Sequence, residues 1–393
     1  MNPALDAVAR TRPELARLLD AGWQTPIAAW SAAELWGDPP TEPGFEPAFR
    51  RALCAELAPR LGDATDRLVA AIEATGAVAT PHHVCPTNGP TFGAIDRIAC
   101  AGAPGPVLAL AWSGVPMSNT AWSGALCFRA AQYHDLLRPG PELSRQRQAA
   151  KDRERDGVTE RRVLVIPPEL RDALVYGCPL PARVREVVAA ATPALTAVLP
   201  DPTPTDDFPS WALRVCEGLE RALVGRSDLY YVDLNRVAAR YLAEVLADPA
   251  HPVSRLAARG AAGIDDLSWF YARRPGKRES VETLYGWPPD ARERLAGGLC
   301  PGLVPVFGAL RLLSRIRLLG GFRQVEYLER IARAWLDAGV VDADRGVPGR
   351  PITGRLAAYP LDVALGAVDR ATLPGPDAPM SAVWEPILAR LAG

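Results

Sequence analysis

The chain has 393 residues, 48% of them hydrophobic and 23% charged, which is the balance of an ordinary globular protein and not that of a disordered or fibrous one. Its 44 basic and 45 acidic residues leave a formal net charge of -1, so no general attraction to nucleic acid or to an anionic membrane is expected. No stretch holds the roughly 18–20 apolar residues of a membrane span. The seven cysteines form no CxxC pair, which argues against a disulfide framework and structural zinc.

Taken in chain order, residues 1–75 read as an N-terminal helical segment. Residues 76–393 read as an α/β core with helical insertions at approximately 167–228 and 250–300. Asp6, Arg10, Arg12 and Glu14 interrupt the first residues and give no basic-then-apolar secretory order, so a cytoplasmic, bacterial-type protein is expected. From Glu46 to Thr75, Phe49, Leu53, Leu57, Leu61, Leu68 and Ile72 recur at helical spacing with one longer gap. Gly76 stops that pattern and 77–80 reads as a short buried strand. A helix follows from about Gly89 through Ile95, Ile98 and Ala99, and then the wholly apolar run 107–112. Strand, loop, helix and strand make a βαβ unit. Further strands are expected at 163–166 and 229–233, and further helices at Trp211–Val224 and Asn235–Leu246. The charged stretch Arg145–Arg162 mixes both signs and reads as a solvated face. Residues Arg273–Gly302 read as loops with short elements. Beyond Gly320, Val325, Leu328, Ile331 and Trp335 mark one helix face. The alternation predicts an α/β fold: a Rossmann-like, doubly wound parallel sheet with helices on both faces.

In such a sheet ligands collect at the carboxyl ends of the strands. The loop Thr80-Pro81-His82-His83-Val84-Cys85-Pro86-Thr87-Asn88-Gly89-Pro90 leaves one of those ends and holds two of the four histidines. His82 and His83 are therefore the candidate catalytic bases. Thr80, Asn88, Gly89 and Arg97 are candidate substrate-binding residues, with the helix N-terminus and Arg97 suited to an anion. Ser113, Ser118 and Asn119, after the second strand, are expected to line the same crevice. Gly320, Gly321, Gln324 and Tyr327 are expected to close it, the glycines allowing close backbone approach to a ligand. Adjacent histidines on an extended chain point apart, and no HxxxH or HExxH spacing is present, so no metal is expected. No GxGxxG, P-loop, GxSxG or kinase motif is present, and no cofactor is expected.

The order of these segments resembles that of the bacillithiol-biosynthesis cysteine-ligase family. Thr80-Pro81-His82-His83, Asn88-Gly89-Pro90, Ala94-Ile95 and Pro106–Trp112 are similar to its TGQQ or TGHQ segment, Gly-Pro turn, helix and PVFW strand. Leu229–Asp233, Trp269-Phe270-Tyr271 with Arg273 and Arg274, and Leu318-Leu319-Gly320-Gly321 through Tyr327-Leu328 continue it, so that it spans Thr80–Gly339. The resemblance implies a Rossmann-like core, attachment of an amino-acid unit to an amine, and room for a nucleotide. The departures are specific. Pro81-His82-His83 stands where the family has Gly-Gln-Gln or Gly-His-Gln. Ser113-Gly114-Val115-Pro116 replaces its acidic run, Gln324 replaces a glutamate, and 393 residues leave no room for its final coiled coil. Cysteine-ligase activity does not follow. Carbon–nitrogen bond formation in specialised metabolism is the expected function, either as condensation of an amine with an acyl group or as intramolecular amine cyclisation that expels an anion and gives a small ring such as an aziridine. The expected partner is a small-molecule amine, free or bound to a carrier protein. A protein partner is compatible with the sequence, and the rival class is a non-catalytic binding protein that keeps the fold.

Overall fold

In the computed structural model the described residues are 3–84, 90–113, 126–129, 162–165, 200–201, 208–273, 281–342, 348–356 and 369–391. Five strands form the central sheet in the spatial order Arg350–Pro351, Arg317–Gly320, Ala77–Ala79, Val107–Ala111, Leu229–Asp233, and every pairing is parallel. The chain starts in the middle, steps outward through Val107–Ala111 to Leu229–Asp233, then returns to the other side of Ala77–Ala79. The direction of winding therefore reverses between Ala77–Ala79 and Arg317–Gly320.

Side chains alternate across these strands, and the alternation divides the core in two. Ala77, Ala79, Val107, Ala109, Ala111, Leu229, Tyr231 and Leu319 face one cluster. Val78, Leu108, Leu110, Val232 and Leu318 face the other. Helices Pro3–Thr11, Pro13–Gly22, Pro90–Ala101, Phe208–Val224 and Ser381–Leu391 supply the first cluster. Helices Pro47–Leu61, Ala64–Thr75, Leu234–Val245, Leu303–Gly308 and Phe322–Asp337 supply the second. Both faces are thus buried, which is why the strands read as continuous apolar runs. No helix among the described residues is long and apolar enough to cross a membrane.

The helical reading of 46–75 resolves into two helices that break at the gap in the pattern. Glu46 caps the first, its carboxylate accepting from Ala48 N at 3.1 Å and Phe49 N at 2.9 Å, with Pro47 at the first helical position. Gly76 ends the second in the left-handed region at φ 65 and turns the chain into the first strand.

Two expectations need correction. The run at 163–166 is not in the parallel sheet: Arg162–Val165 pairs antiparallel with Leu126–Arg129 in a separate ribbon. A four-residue apolar run has the same composition in either setting, so only the partner decides. The 250–300 region is not wholly helical either. After helix Pro252–Arg259, Phe270–Arg273 pairs antiparallel with Val281–Leu284 and Cys300–Pro301. Gly, Pro and charge between short strands conceal a sheet whose strands are two to four residues long.

The second core leaves little slack. Gly308 closes helix Leu303–Gly308 with its Cα against the indole of the fully buried Trp335, where a Cβ would overlap the ring. Gly308→Ala is expected to destabilise the protein by about 1–3 kcal/mol through overpacking. A lowered urea midpoint would register it, and an unchanged midpoint would mean the ring shifts freely.

Candidate functional site at the carboxyl edge of the sheet

Because all five strands are parallel, their carboxyl ends share one edge. Thr80, His82 and His83 follow the first strand there, and Trp112 and Ser113 follow the second. Asp233 ends the Leu229–Asp233 strand, and Gly320 and Gly321 follow Arg317–Gly320. The first and second strands keep pairing beyond their regular part. Trp112 N donates to His82 O at 2.9 Å and Val84 N to Trp112 O at 2.8 Å, which fixes the backbone of both histidines.

His82 is fully buried. Its Nε2 lies 2.8 Å from Asp96 Oδ1, and Asp96 Oδ2 accepts the Tyr231 hydroxyl at 2.6 Å. The Tyr231 ring stands edge-on to the imidazole with centroids 5.1 Å apart. Asp96 and Tyr231 are themselves buried. His82 Nδ1 is shielded from solvent and has no hydrogen-bond partner among the described residues. Glu220, which interacts electrostatically with Asp96 and Tyr231, is also fully buried, with neither carboxyl oxygen partnered among the described residues. Burial, then the nearby Asp96, hold its carboxyl well above the usual range.

His83 meets Phe92 edge-on at 6.2 Å. Phe92 and Asp96 are one helical turn apart on the buried face of Pro90–Ala101. The two histidine rings therefore lean on one helix face, contrary to the expectation that they point apart. The Nδ1 of His83 is likewise shielded and without a partner among the described residues. Burial, and secondarily His82, push the pKa of His83 down to about 4.

That depression makes stability depend on pH. The unfolded chain binds this proton near pH 6.5 and the folded one near 4, so the contribution is complete above 6.5 and declines as pH falls through that window. Between pH 7 and 5 the wild type should lose about 2 kcal/mol relative to His83→Leu. Comparing the two is necessary because Glu220 and Glu56, the latter raised to about 7 by burial and by Asp233, pull the other way. Parallel pH profiles of the two proteins in urea melts would contradict the assignment.

The next strand ends hold a second polar group. Ser113 Oγ donates to Asp233 Oδ2 at 2.7 Å, and Ser113 N donates to Asn235 Oδ1 at 2.8 Å. Asp233 also caps helix Leu234–Val245 by accepting from Arg236 N at 3.2 Å. On the other side of the first strand, Gln324 Nε2 donates to Thr80 Oγ1, whose hydroxyl donates to Leu319 O at 3.1 Å. Gly320 is small because the Gln324 side chain occupies the space a Cβ would need. That corrects the expectation of a glycine kept for a ligand: a buried glutamine fills the approach. Gly321 begins helix Phe322–Asp337 and has only ordinary contact distances around it.

Of the residues expected at the crevice, Thr80, His82, His83, Ser113, Gly320, Gly321 and Gln324 sit along this edge. Arg97 does not. Its guanidinium donates to Leu223 O at 3.2 Å, near the end of the helix that leads into Leu229–Asp233, and so it points toward the amino edge of the sheet. Tyr327 stacks on Phe307, itself against Trp112, in the second core on the face opposite Tyr231. Asn88, Gly89, Ser118 and Asn119 lie outside the described residues. Asp96, Tyr231, Glu220, Asp233 and Asn235 were not anticipated. Asp96 and Glu220 were detectable as acids on the apolar face of amphipathic helices, beside Ile95 and Ala99 and between Cys216 and Leu223.

Among the described residues no group of three or more histidine, cysteine, aspartate or glutamate side chains is arranged to hold a metal ion. Cys100, Cys216 and Cys300 are buried, as small core residues are, and burial pushes the Cys300 thiol up to about 12. No protein-family model, curated protein or solved structure matches the chain.

Proposed function

We propose that this chain is a carbon–nitrogen bond-forming enzyme of specialised metabolism, acting in the cytoplasm on a small-molecule amine with His82 as general base. On this reading the sheet is the doubly wound, Rossmann-like type, supported by a winding order that reverses beside the strand leading to the histidines. A distant relationship to the bacillithiol cysteine ligases is part of the same proposal and rests on the order of motifs.

The observation that carries the reading is the pairing of a buried Asp96–His82 contact with an imidazole nitrogen that nothing among the described residues occupies. A base held on one side by a carboxylate, with its other nitrogen unpartnered among the described residues, is the arrangement proton abstraction requires. His82 Nδ1 takes a proton from the amine, and the nitrogen lone pair attacks carbon. In cyclisation the carbon–leaving-group bond breaks and the departing anion keeps the electron pair. In condensation the same lone pair attacks an acyl carbon and its leaving group departs. With Arg97 directed elsewhere, the N-terminus of helix Pro90–Ala101 is left to receive the anion.

One observation favours the rival, a non-catalytic binding protein: His82 is fully enclosed, and the Thr80 and Ser113 hydroxyls already have internal acceptors. The two readings separate by mass spectrometry with primary amines bearing an internal phosphate-ester leaving group and with amine–thioester pairs. An enzyme gives a ring with loss of phosphate, or an amide with loss of thiol. Binding of these amines without either product supports the rival.

A further inference from the structure

We infer that Asp96 and Tyr231 are positioning residues that fix the tautomer of His82, with the hydrogen on Nε2 and the lone pair on Nδ1. Only the catalytic meaning of this inference rests on the proposed function. Asp96 stands between two partners, Oδ1 at 2.8 Å from His82 Nε2 and Oδ2 at 2.6 Å from the Tyr231 hydroxyl. An ionised carboxylate only accepts, so a neutral imidazole bonded to it carries its one hydrogen on that nitrogen. The opposite tautomer would set a lone pair against a carboxylate and bury an N–H at Nδ1 without an acceptor among the described residues. All three residues are buried, so bulk water does not compete for the partners. The hydroxyl of Tyr231 has a further consequence. It occupies one carboxyl oxygen as a donor, so whatever stands at position 96 must accept on that side.

That determines what an amide would do. In Asp96→Asn the one carbonyl oxygen turns to the Tyr231 hydroxyl, the NH₂ turns to His82 Nε2, and the imidazole hydrogen is driven to Nδ1. The base then presents a donor to the amine. Removing the hydroxyl as well, in Asp96→Asn/Tyr231→Phe, frees the amide to rotate and restores the original tautomer.

The test is a long-range proton–nitrogen NMR spectrum of the full chain labelled with ¹⁵N-histidine, the His82 signals being assigned by their loss in His82→Gln. In the wild type, Nε2 should resonate as a pyrrole-type and Nδ1 as a pyridine-type nitrogen. The pattern should invert in Asp96→Asn and return in the double variant. A wild-type spectrum with hydrogen on Nδ1 overturns the inference, and so does an inverted pattern that the double variant does not restore. An uninverted Asp96→Asn spectrum overturns it too. Should Asp96→Asn fail to fold, the wild-type spectrum still decides between the tautomers. Turnover distinguishes the two levels. Inversion accompanied by a loss of about 10²–10⁴-fold, partly recovered in the double variant, supports both, whereas inversion with wild-type turnover keeps the tautomer lock and removes the base.

Discussion

Replacing His82 with alanine is expected to lower turnover of an amine substrate by about 10²–10⁴-fold, the usual consequence of removing a general base. The sequence alone suggests a loop histidine that could be removed without effect on folding. The structure changes that expectation, because the imidazole is fully buried and its removal leaves Asp96 Oδ1 without its partner. A stability loss of about 1–3 kcal/mol should accompany the loss of turnover. His82→Gln separates the two effects. Its amide can still donate to Asp96 and fill much of the space, but it has no basic nitrogen. It should fold better than the alanine variant and be comparably inactive. Wild-type turnover in either folded variant would remove His82 from the chemistry.

The largest loss of stability is expected at Asp96. Asp96→Ala withdraws the acceptor from both Tyr231 and His82, leaving two buried polar groups unpartnered at the centre of the first core. Each buried polar group left unpartnered costs about 1–3 kcal/mol, so the loss should be about 2–6 kcal/mol, far above the ~1 kcal/mol or less of an exposed ion pair. One feature moderates the effect. Burial and the neighbouring Asp96 raise the Glu220 carboxyl well above its usual range, and removing that carboxylate takes away the second of these causes. Urea unfolding of the wild type, Asp96→Ala and Asp96→Ala/Glu220→Gln measures both terms. A loss below about 1 kcal/mol in the single variant would mean that water already reaches the cluster.

Much of the frame is legible in the sequence because burial on both faces writes apolar runs. Ala77–Ala79, Val107–Ala111 and Leu229–Asp233 are readable as strands, and Gly76 and Gly321 as boundaries. Arg350–Pro351 is too short to leave a pattern, and Arg162–Val165 is indistinguishable from a central strand until its antiparallel partner is known. The candidate site divides in the same way. Residues at strand ends, such as Thr80, His82 and Ser113, follow from parallel topology. The partners that define their chemistry come from elsewhere along the chain: Asp96 from the next helix, Tyr231 from 149 positions after His82, and Asn235 from the start of another helix. Local spacing carries no record of those pairings. Gly320 shows the reverse limit, since a glycine kept for a ligand and one kept for the buried Gln324 side chain look identical in sequence.

The central claim, that the imidazole of His82 removes a proton from an amine, is tested most directly by chemical rescue of the folded His82→Ala protein with free imidazole. On this account the variant regains turnover as imidazole is added, in proportion to its unprotonated fraction, while the same addition leaves the wild type unchanged. Turnover in His82→Ala that matches the wild type without imidazole would contradict it, as would a folded, inactive variant that no concentration of imidazole restores.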